Sequence, residues 1–389
     1  MRIVDGSGKF LIPGLWDMHV HPFEGKDARW NEYMALFITN GITNIRVMFG
    51  DPKFHQWREA ISSGQLTGPR MLIASPRPPE FTSEEQGRQF VRTSKSEGAD
   101  FIKILSDDLA RDVYFAIAVE ARKQGIPFVG HVPYSISATE ASDAGQLSLE
   151  HKYSVSIPCS GLEELVRSQL ADIDDFRGRT KALADIGYDQ QKARALFSRL
   201  SSNRTFVCPT LVVWNDPAYR NKAEMANDPR LDYFPSELRD WFNNIRERLI
   251  DDVVVADLRK ICSGSHVLVD AMNRAGVKIL AGTDSGGVPF VLQGFSLHDE
   301  LQLLVESGHS PMEALQAATM NAADCAGRLN SLGTVEGGKL ADLVLLDENP
   351  LSSIANTRKV HSVFINGRYL DRSELGLIQS RLKKLAAEM

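Results

Sequence analysis

The stretch LWDMHVHP, residues 15–22, joins an apolar strand-like run to a pair of histidines. Side chains alternate along a strand, so Asp17, His19 and His21 share one face, and Pro22 stops the strand behind them. The helical pattern RWNEYMALFITNG (residues 29–41) follows and ends in glycine, as helices often do. This stretch therefore predicts a strand–helix unit with two imidazoles at the end of its strand.

The same unit recurs along the chain. Strand-like and helical runs alternate, which indicates βα units around a parallel sheet. The later strand-like runs are TNIRVM (43–48), RMLIAS (70–75), FIKIL (101–105), PFVGH (127–131), LSLEH (147–151), NRTFVCPTLVV (203–213) and GVKILAGTD (276–284).

Two long polar helical stretches interrupt this alternation. Residues 159–200 follow the sixth strand-like run, and residues 215–273 follow the seventh. Segments that follow the strands of such a fold lie on the face that carries the site. We therefore interpret both stretches as lids or walls of a substrate pocket. The alternative is that they are extra packing helices outside the barrel.

Several chemically reactive side chains lie at or near the ends of the strand-like runs. Imidazole nitrogens and carboxylate oxygens suit zinc and similar divalent ions, and a (β/α)8 enzyme collects its site at the strand ends. One such histidine is more often an ordinary polar residue, but several on neighbouring strands predict a centre for two metal ions. The candidate ligands are His19, His21, Lys103, His131, His151 and Asp284.

Lys103 is unusual because it interrupts the apolar run DFIKIL. An ammonium group inside a barrel is costly unless it is neutralised or paired. Two interpretations remain open from the residues alone. Lys103 either reaches a carboxylate such as Asp107, or its amine is carbamylated by carbon dioxide and becomes an anionic ligand that bridges two metals. The surrounding histidines favour the second.

Other polar residues have less specific roles. Asp17 is expected either to orient a ligand or neighbouring backbone, or to make a simple structural hydrogen bond. We expect His298 to pack at a helix start. The remaining histidines are expected to lie outside the site, and they are His55, His266, His309 and His361.

Taken together, these motifs resemble the amidohydrolase superfamily. The matching strings are PGLWDMHVH, FIKI, GH before VPYS, LEH, GTDSG and GTVEGGKLADLVLLDENP. The chain is most similar to imidazolonepropionase-like and prolidase-like members, which include dipeptidases and carboxypeptidases with a carbamylated lysine. Imidazolonepropionases themselves use one metal and lack the lysine, so that activity fits less well.

The resemblance implies an α/β fold, a deformed (β/α)8 TIM barrel with a small β-sandwich domain built from both chain ends. It implies that His19, His21 and Asp284 hold the more buried metal and that His131 and His151 hold the more exposed one. Carbamylated Lys103 and a hydroxide would bridge the two ions, and the ligand types favour zinc. Asp284 would take the proton of the attacking hydroxide and deliver it to the leaving amine.

The domain boundaries follow from a change in character near the C-terminus. GTVEGGKLADLVLLD (333–347) and KVHSVFINGRYL (359–370) are short β-rich runs. We assign residues 1–14 and 333–372 to a reduced β-sandwich segment, 15–332 to the barrel and 373–389 to a C-terminal helix. Few residues precede the barrel, so either the N-terminus is truncated or the small domain is reduced. An open sheet edge would favour a homo-oligomer.

The composition bounds the class of protein. The 389 residues are 43% hydrophobic and 24% charged, as in globular proteins, and the net charge of −6 gives no sign of nucleic-acid binding. No apolar run is long enough for a membrane span. The N-terminus lacks the apolar core of a signal peptide, so a cytoplasmic location is expected for the sequence as written. The four scattered cysteines are expected to be free buried thiols.

The substrate is the least constrained feature. Arg46 lies near the end of the second strand-like run and Arg77 follows the third, and both could bind the carboxylate of a peptide-like substrate. Tyr134 could donate a hydrogen bond to the scissile carbonyl. For all three, ordinary loop or surface polarity is the alternative. We expect a hydrolase for dipeptide-like or N-acyl amino acid amides. An esterase or lactonase with the same site, or a non-catalytic scaffold, is the alternative.

Overall fold

The computed structural model describes residues 3–23, 28–289 and 291–389. The strands in this part of the chain are β1 (Phe10–Pro13), β2 (Leu15–Val20), β3 (Ile42–Val47), β4 (Arg70–Ile73), β5 (Ile102–Ile104), β6 (Phe128–Gly130), β7 (Ser148–Glu150), β8 (Phe206–Cys208), β9 (Leu343–Leu346), β10 (Val360–Ile365) and β11 (Arg368–Leu370).

Helices follow most of the strands. They are α1 (Met34–Thr39), α2 (Pro52–Ser62), α3 (Glu84–Ser96), α4 (Arg111–Gln124), α5 (Ala138–Asp143), α6 (Tyr153–Ser156), α7 (Glu163–Ala171), α8 (Phe176–Ala184), α9 (Gln190–Ser202), α10 (Val212–Tyr219), α11 (Lys222–Ala226), α12 (Ser236–Leu249), α13 (Asp252–Arg274), α14 (Ser296–Glu306), α15 (Pro311–Ala317), α16 (Met320–Cys325) and α17 (Arg372–Glu388). Short 3-10 helices span Ala28–Tyr33, Pro229–Tyr233 and Ile354–Arg358.

Strands β2 to β8 form the wall of a parallel barrel. They pair in chain order as two sheets, β2-β3-β4 and β5-β6-β7-β8. A parallel bridge from Ala74 to Phe101 joins these sheets, and bridges from Val207 to Ile279 and from Val20 to Ser285 connect both outer strands to residues 276–285. The strand ends therefore meet on one face, as the sequence predicted for an α/β barrel.

The eighth strand position is occupied by an irregular segment, residues 276–285, instead of a regular ladder. A Cβ atom at Gly282 would come within 2.4 Å of the Cys208 sulfur and 2.9 Å of the His19 backbone nitrogen. Only glycine permits so close an approach of one backbone to its neighbours. The predicted strand GVKILAGTD thus lies in the expected place, pressed against β2 and β8, with bridges in place of a continuous pairing.

Local signals explain where the helices begin and end. Ser83 accepts a hydrogen bond from the Gln86 backbone at the start of α3, and Ser310 forms a capping box with Glu313 ahead of Pro311 in α15. Gly125 ends α4 in the left-handed conformation, with φ of 63°. Within the described residues, no helix is both long enough and apolar enough to cross a membrane.

Both chain ends contribute to a second, antiparallel sheet of order β1-β9-β10-β11. Its core packs Val363 and Ile365 against Ile38 of α1 and Leu375 of α17. The described residues therefore form one sheet covered by helices, without the second layer of strands of a full sandwich. Strand β1 lies at an edge of this sheet, and the homo-oligomer stays a prediction. The four cysteines are free and buried, as expected.

The two long insertions have different positions relative to the site. The first contains α7 to α9 and the second contains α10 to α13. Pro235, Glu237, Leu238 and Trp241, around the start of α12, line the main cavity described below, whereas no described residue of 159–200 does so. The pocket-wall interpretation therefore holds for 215–273, whereas 159–200 reaches the site only indirectly, through Arg179, which lies 3.7 Å from Asp107.

Candidate metal centre

The end of β2 and the irregular eighth segment bring three predicted ligands together. Oδ1 of Asp284 lies 3.3 Å from Nε2 of His19 and 3.1 Å from Nε2 of His21. The backbone nitrogen of Asp284 donates to the His19 carbonyl oxygen at 2.7 Å. One ligand atom from each side chain lies within 4.8 Å of the other two. This spacing suits a single divalent ion held by two imidazoles and a carboxylate.

The electrostatics of Asp284 agree with a ligand role. Burial raises the pKa of this carboxyl, but the surrounding histidines outweigh burial and hold its pKa well below the usual range. Asp284 also has a positive φ of 62°. A residue other than glycine seldom adopts this conformation without a reason in the surrounding structure. Here the conformation aims the carboxylate at the two histidines.

The histidines after β6 and β7 form the second half of the centre. The ring of His151 lies 5.0 Å from that of His131 and 4.7 Å from that of His19. The Nδ1 atom of each ring has a partner. Nδ1 of His131 lies 3.0 Å from Asp107, and Nδ1 of His151 lies 2.9 Å from Thr210. These contacts leave Nε2 of both rings available to bind a metal.

The environment of the Lys103 amine fits a bound metal ion nearby or a carbamate on the amine. The residue is 2% exposed, and its Nζ atom has no hydrogen-bond partner among the described residues. Burial lowers its pKa to about 8. The alternative partner Asp107 contacts His131 instead. A buried amine without a partner beside these histidines fits a metal centre, either as the amine or as a carbamate.

Asp17 connects the two backbone segments that carry the first ligands. Its carboxylate accepts hydrogen bonds from the Thr283 backbone nitrogen at 3.0 Å and the Thr283 hydroxyl at 2.6 Å. It also accepts one from the His19 backbone nitrogen at 3.3 Å. Burial raises its pKa to about 7. Of the two expected roles, orientation of the neighbouring backbone is the one these contacts support.

A cavity of about 960 Å³ opens above these residues. Four aromatic side chains form much of its wall, from Phe23, Trp30, Phe49 and Trp241. Arg77 also lines the cavity, and it makes no ion pair with any described residue. Such a cavity has the size of a small-molecule site, with apolar walls and few polar groups.

The comparison with known sequences agrees with this arrangement. The sequence model of the amidohydrolase family matches residues 10–370. The chain belongs to the amidohydrolase family. The resemblance of its sequence motifs is therefore confirmed at the level of the family.

Two relatives show how far this similarity extends. An ochratoxinase of Aspergillus niger is 43% identical over 414 aligned residues, which cover 88% of this chain and 71% of that protein. An adenine deaminase of Listeria innocua is 22% identical over 372 residues, which cover 94% of this chain and 51% of that protein. The chain thus spans about half the length of the adenine deaminase.

Solved structures share the fold at lower identity. A bottromycin amidohydrolase superposes with a TM-score of 0.76 at 23% identity, covering 97% of this chain and 81% of that one. A Xaa-Pro dipeptidase with bound methionine in its active site gives a TM-score of 0.65 at 20% identity, covering 94% and 87%. The barrel of this amidohydrolase is thus also found in prolidase-like enzymes.

The structure places Arg46 away from the cavity, contrary to its predicted role in substrate binding. Arg46 is 2% exposed, and its Nη2 donates to the Glu150 carboxylate at 2.6 Å. Its Nε donates to the Met18 carbonyl oxygen at 2.7 Å. The guanidinium of Arg46 contacts Ser148 and Glu150 of β7 inside the barrel, so a position near a strand end alone does not indicate contact with substrate.

Glu150 is a residue of the site that the sequence analysis missed. It is fully buried, and Oε2 lies 2.9 Å from Nδ1 of His19 while Oε1 accepts from Arg46. Glu150 therefore contacts Nδ1 of His19, and Nε2 of the same ring faces Asp284. A glutamate inside the strand run LSLEH, next to a candidate ligand, was the signal that could have identified it.

Tyr134 also lies outside the cavity lining. Its ring packs against Ile157, Val166 and Leu170, because the chain turns after His131 and directs the ring toward the first insertion. Tyr153 contacts the ligands instead, and its ring stacks on His151 at 5.5 Å. His298 is buried and contacts Thr357 at 2.9 Å, so its predicted packing role agrees with the structure.

Proposed function

We propose that this amidohydrolase is a metal-dependent hydrolase that cleaves the amide C–N bond of a dipeptide-like or N-acyl amino acid substrate. The observation that carries the proposal is the convergence of His19, His21 and Asp284 within 4.8 Å of one another, with His131 and His151 beside them. Scaffold proteins on this fold have no need to keep such a set of ligands.

The ligand set suits two ions of the zinc type. His19, His21 and Asp284 would hold one ion, and His131 and His151 would hold the other. The unpartnered amine of Lys103 would add to carbon dioxide, lose one proton and become a carbamate. The carbamate would carry a negative charge and two oxygens, which would remove the cost of a buried cation and supply ligand oxygens for the metal centre. When bound, the ions lower the pKa of water and polarise a substrate carbonyl.

The side chains then direct the proton. Asp284 accepts the proton of the attacking water and delivers it to the amine nitrogen as the C–N bond breaks. Water is consumed, and a carboxylic acid and an amine are released. Glu150 contacts Nδ1 of His19, and Thr210 contacts Nδ1 of His151. These contacts fix the orientation of both rings and keep the reacting groups aligned.

The cavity supports a carboxylate-bearing substrate with apolar parts. The guanidinium of Arg77 forms no ion pair within the described part of the chain, and a guanidinium can bind a carboxylate in a bidentate manner. The aromatic wall of Phe23, Trp30, Phe49 and Trp241 suits an apolar acyl group. The named relatives include an ochratoxinase and a Xaa-Pro dipeptidase, which supports a C–N bond as the target.

Purified protein reconstituted with zinc and bicarbonate tests the proposal against dipeptides, N-acyl amino acids, carboxylate esters and lactones. We expect release of free amino acid from the first two classes, and loss of this activity with a chelator. Activity confined to esters and lactones would assign the same site to an esterase or lactonase. Absence of hydrolysis in all classes from protein that holds both ions would contradict the proposal and favour a scaffold.

A further inference from the structure

A second cavity, of about 580 Å³, adjoins the main one. Arg77, Lys103 and Leu105 line both cavities. The second cavity extends from these residues between the segment after β4 and the segment after β5, and it reaches α3 and α4. We call it the side cavity, and its further lining includes Phe81, Phe90, Leu109 and Ile117.

The side cavity has an apolar interior. Leu109 and Ile117 are 8% and 1% exposed, and the rings of Phe81 and Phe90 meet edge to face at 5.4 Å. Its charged lining apart from Arg77 and Lys103 is acidic, from the exposed residues Glu80 and Asp108. An apolar group gains by leaving water here, whereas an acidic group would meet two carboxylates.

We propose that the side cavity receives the side chain of the amino acid that the reaction releases, and that it selects large apolar side chains over small or acidic ones. This inference rests on the proposed function. The α-carboxylate and the side chain are attached to the same carbon atom. A carboxylate held by Arg77 at the junction therefore directs the side chain into the space beside Arg77, and the acyl half lies in the main cavity against the aromatic wall.

The site geometry leaves the two halves of the substrate in different cavities. The scissile bond must lie next to Asp284 and His151, which line the main cavity but not the side cavity. Among the described residues, the side reached through Arg77 and Lys103 offers a second cavity that adjoins the main one. The acyl half and the released amino acid are thus recognised by separate sets of residues, so their selectivities should change independently.

The test uses a series of substrates with one acyl group and different released amino acids: glycine, alanine, leucine, phenylalanine, aspartate and lysine. With the zinc- and bicarbonate-loaded enzyme, we expect kcat/KM to be about tenfold to hundredfold higher for phenylalanine or leucine than for glycine, as burial of a large apolar side chain predicts. We expect aspartate to be the poorest substrate.

Two variants change the side cavity in opposite directions. Leu109→Trp fills it, and we expect the phenylalanine-to-glycine ratio of kcat/KM to fall at least tenfold. Phe81→Ala enlarges it at a partly exposed position, and it tests the same ratio if the tryptophan variant does not fold. Val119→Trp is the matched control, because Val119 is 59% exposed on α4, and this variant should keep the wild-type ratio.

The outcomes separate this inference from the function on which it rests. Continued hydrolysis with an unchanged ratio in both cavity variants would overturn the side-cavity subsite and leave the proposed function intact. A wild-type preference for glycine or aspartate would also overturn it. Failure of the loaded wild-type enzyme to cleave any member of the series would refute the proposed function and this inference together.

Discussion

The Thr210 hydroxyl lies 2.9 Å from Nδ1 of His151, and both residues have left-handed backbones, with φ of 49° and 60°. A β-branched residue is strained in this conformation, so neighbouring contacts must hold it. The buried carboxylate of Glu300 accepts hydrogen bonds from the next two backbone nitrogens, of Leu211 and Val212, at 3.0 and 2.8 Å. Glu300 thereby fixes the turn that orients a metal ligand.

Removal of the Thr210 hydroxyl should weaken the metal site that contains His151. Thr210→Val keeps the shape but loses the hydrogen bond, and loss of such an outer contact lowers metal affinity about 10- to 100-fold. Titration with Co²⁺, followed by its absorption spectrum, should show one weakened ion and one retained ion. Thr210→Ser keeps a hydroxyl and should behave like the wild type. Equal affinities in the valine variant and the wild type would contradict this role.

Lys103 should be needed as a carbamate and not as a cation. Lys103→Ala would remove the proposed bridging ligand, so we expect most activity to be lost and short carboxylic acids to restore part of it. Lys103→Arg keeps the charge but cannot be carbamylated, so it should be as inactive as the alanine variant. Rates with and without added acetate or propionate measure this. Near-native activity of the arginine variant would show that Lys103 is a structural cation.

Asp284 should affect turnover more than substrate binding. Asp284→Asn keeps the size and one ligand oxygen but loses the base, so kcat should fall by about 10²- to 10⁴-fold while KM changes little. Elemental analysis of the same samples should show that most of the metal is retained. If kcat survived in the asparagine variant with metal bound, another group would have to carry the proton.

The sequence could predict that the candidate metal ligands lie together because their positions follow from local rules. Residues such as His19, His131 and Asp284 end strand-like runs, and parallel strand ends meet on one face of a barrel. The same rule fails for Arg46, because its side chain lies inside the barrel. Its partner there is Glu150, and this pairing becomes visible only when the strands are assembled in three dimensions. His19 and Glu150 lie 131 residues apart, so no local pattern could join them.

The loops and the small domain were predictable only in part. Tyr134 packs against Ile157 and Leu170. The alternation of side chains along a strand does not predict such contacts between separate segments. The eighth segment does not form a continuous ladder of backbone hydrogen bonds. At Gly282 it approaches Cys208 and His19 closely, and such a contact between distant segments is a tertiary effect that the local sequence does not predict. The reduced small sheet closes against α17, a contact that the alternation of runs does not predict.

The stability of the fold should decrease as the pH falls below the pKa of an unfolded histidine, because the folded chain keeps His298 neutral. Burial and the nearby Arg358 lower its pKa to about 4, whereas an unfolded histidine titrates near pH 6.5. Between these values the unfolded state binds the extra proton, so stability falls as the pH decreases from 6.5 to 4, by about 3 kcal/mol.

The His298→Asn variant isolates this contribution. The difference in unfolding free energy between wild type and variant, from urea denaturation at pH 7.5, 6 and 5, should shrink as the pH falls. Contributions from the metal-ligand histidines cancel in this difference. A difference that stays constant across the three pH values would show that His298 does not titrate in this way.

The metal content of the purified chain tests the central claim most directly. Elemental analysis after expression without chelators and reconstitution with zinc and bicarbonate should give two ions per wild-type chain. The ratio should drop to one or fewer in Lys103→Ala, because the ligand that we propose both ions share would be lost. A wild-type ratio that remained near one after reconstitution would contradict the binuclear centre, and a ratio of two in the alanine variant would contradict the bridging role of Lys103.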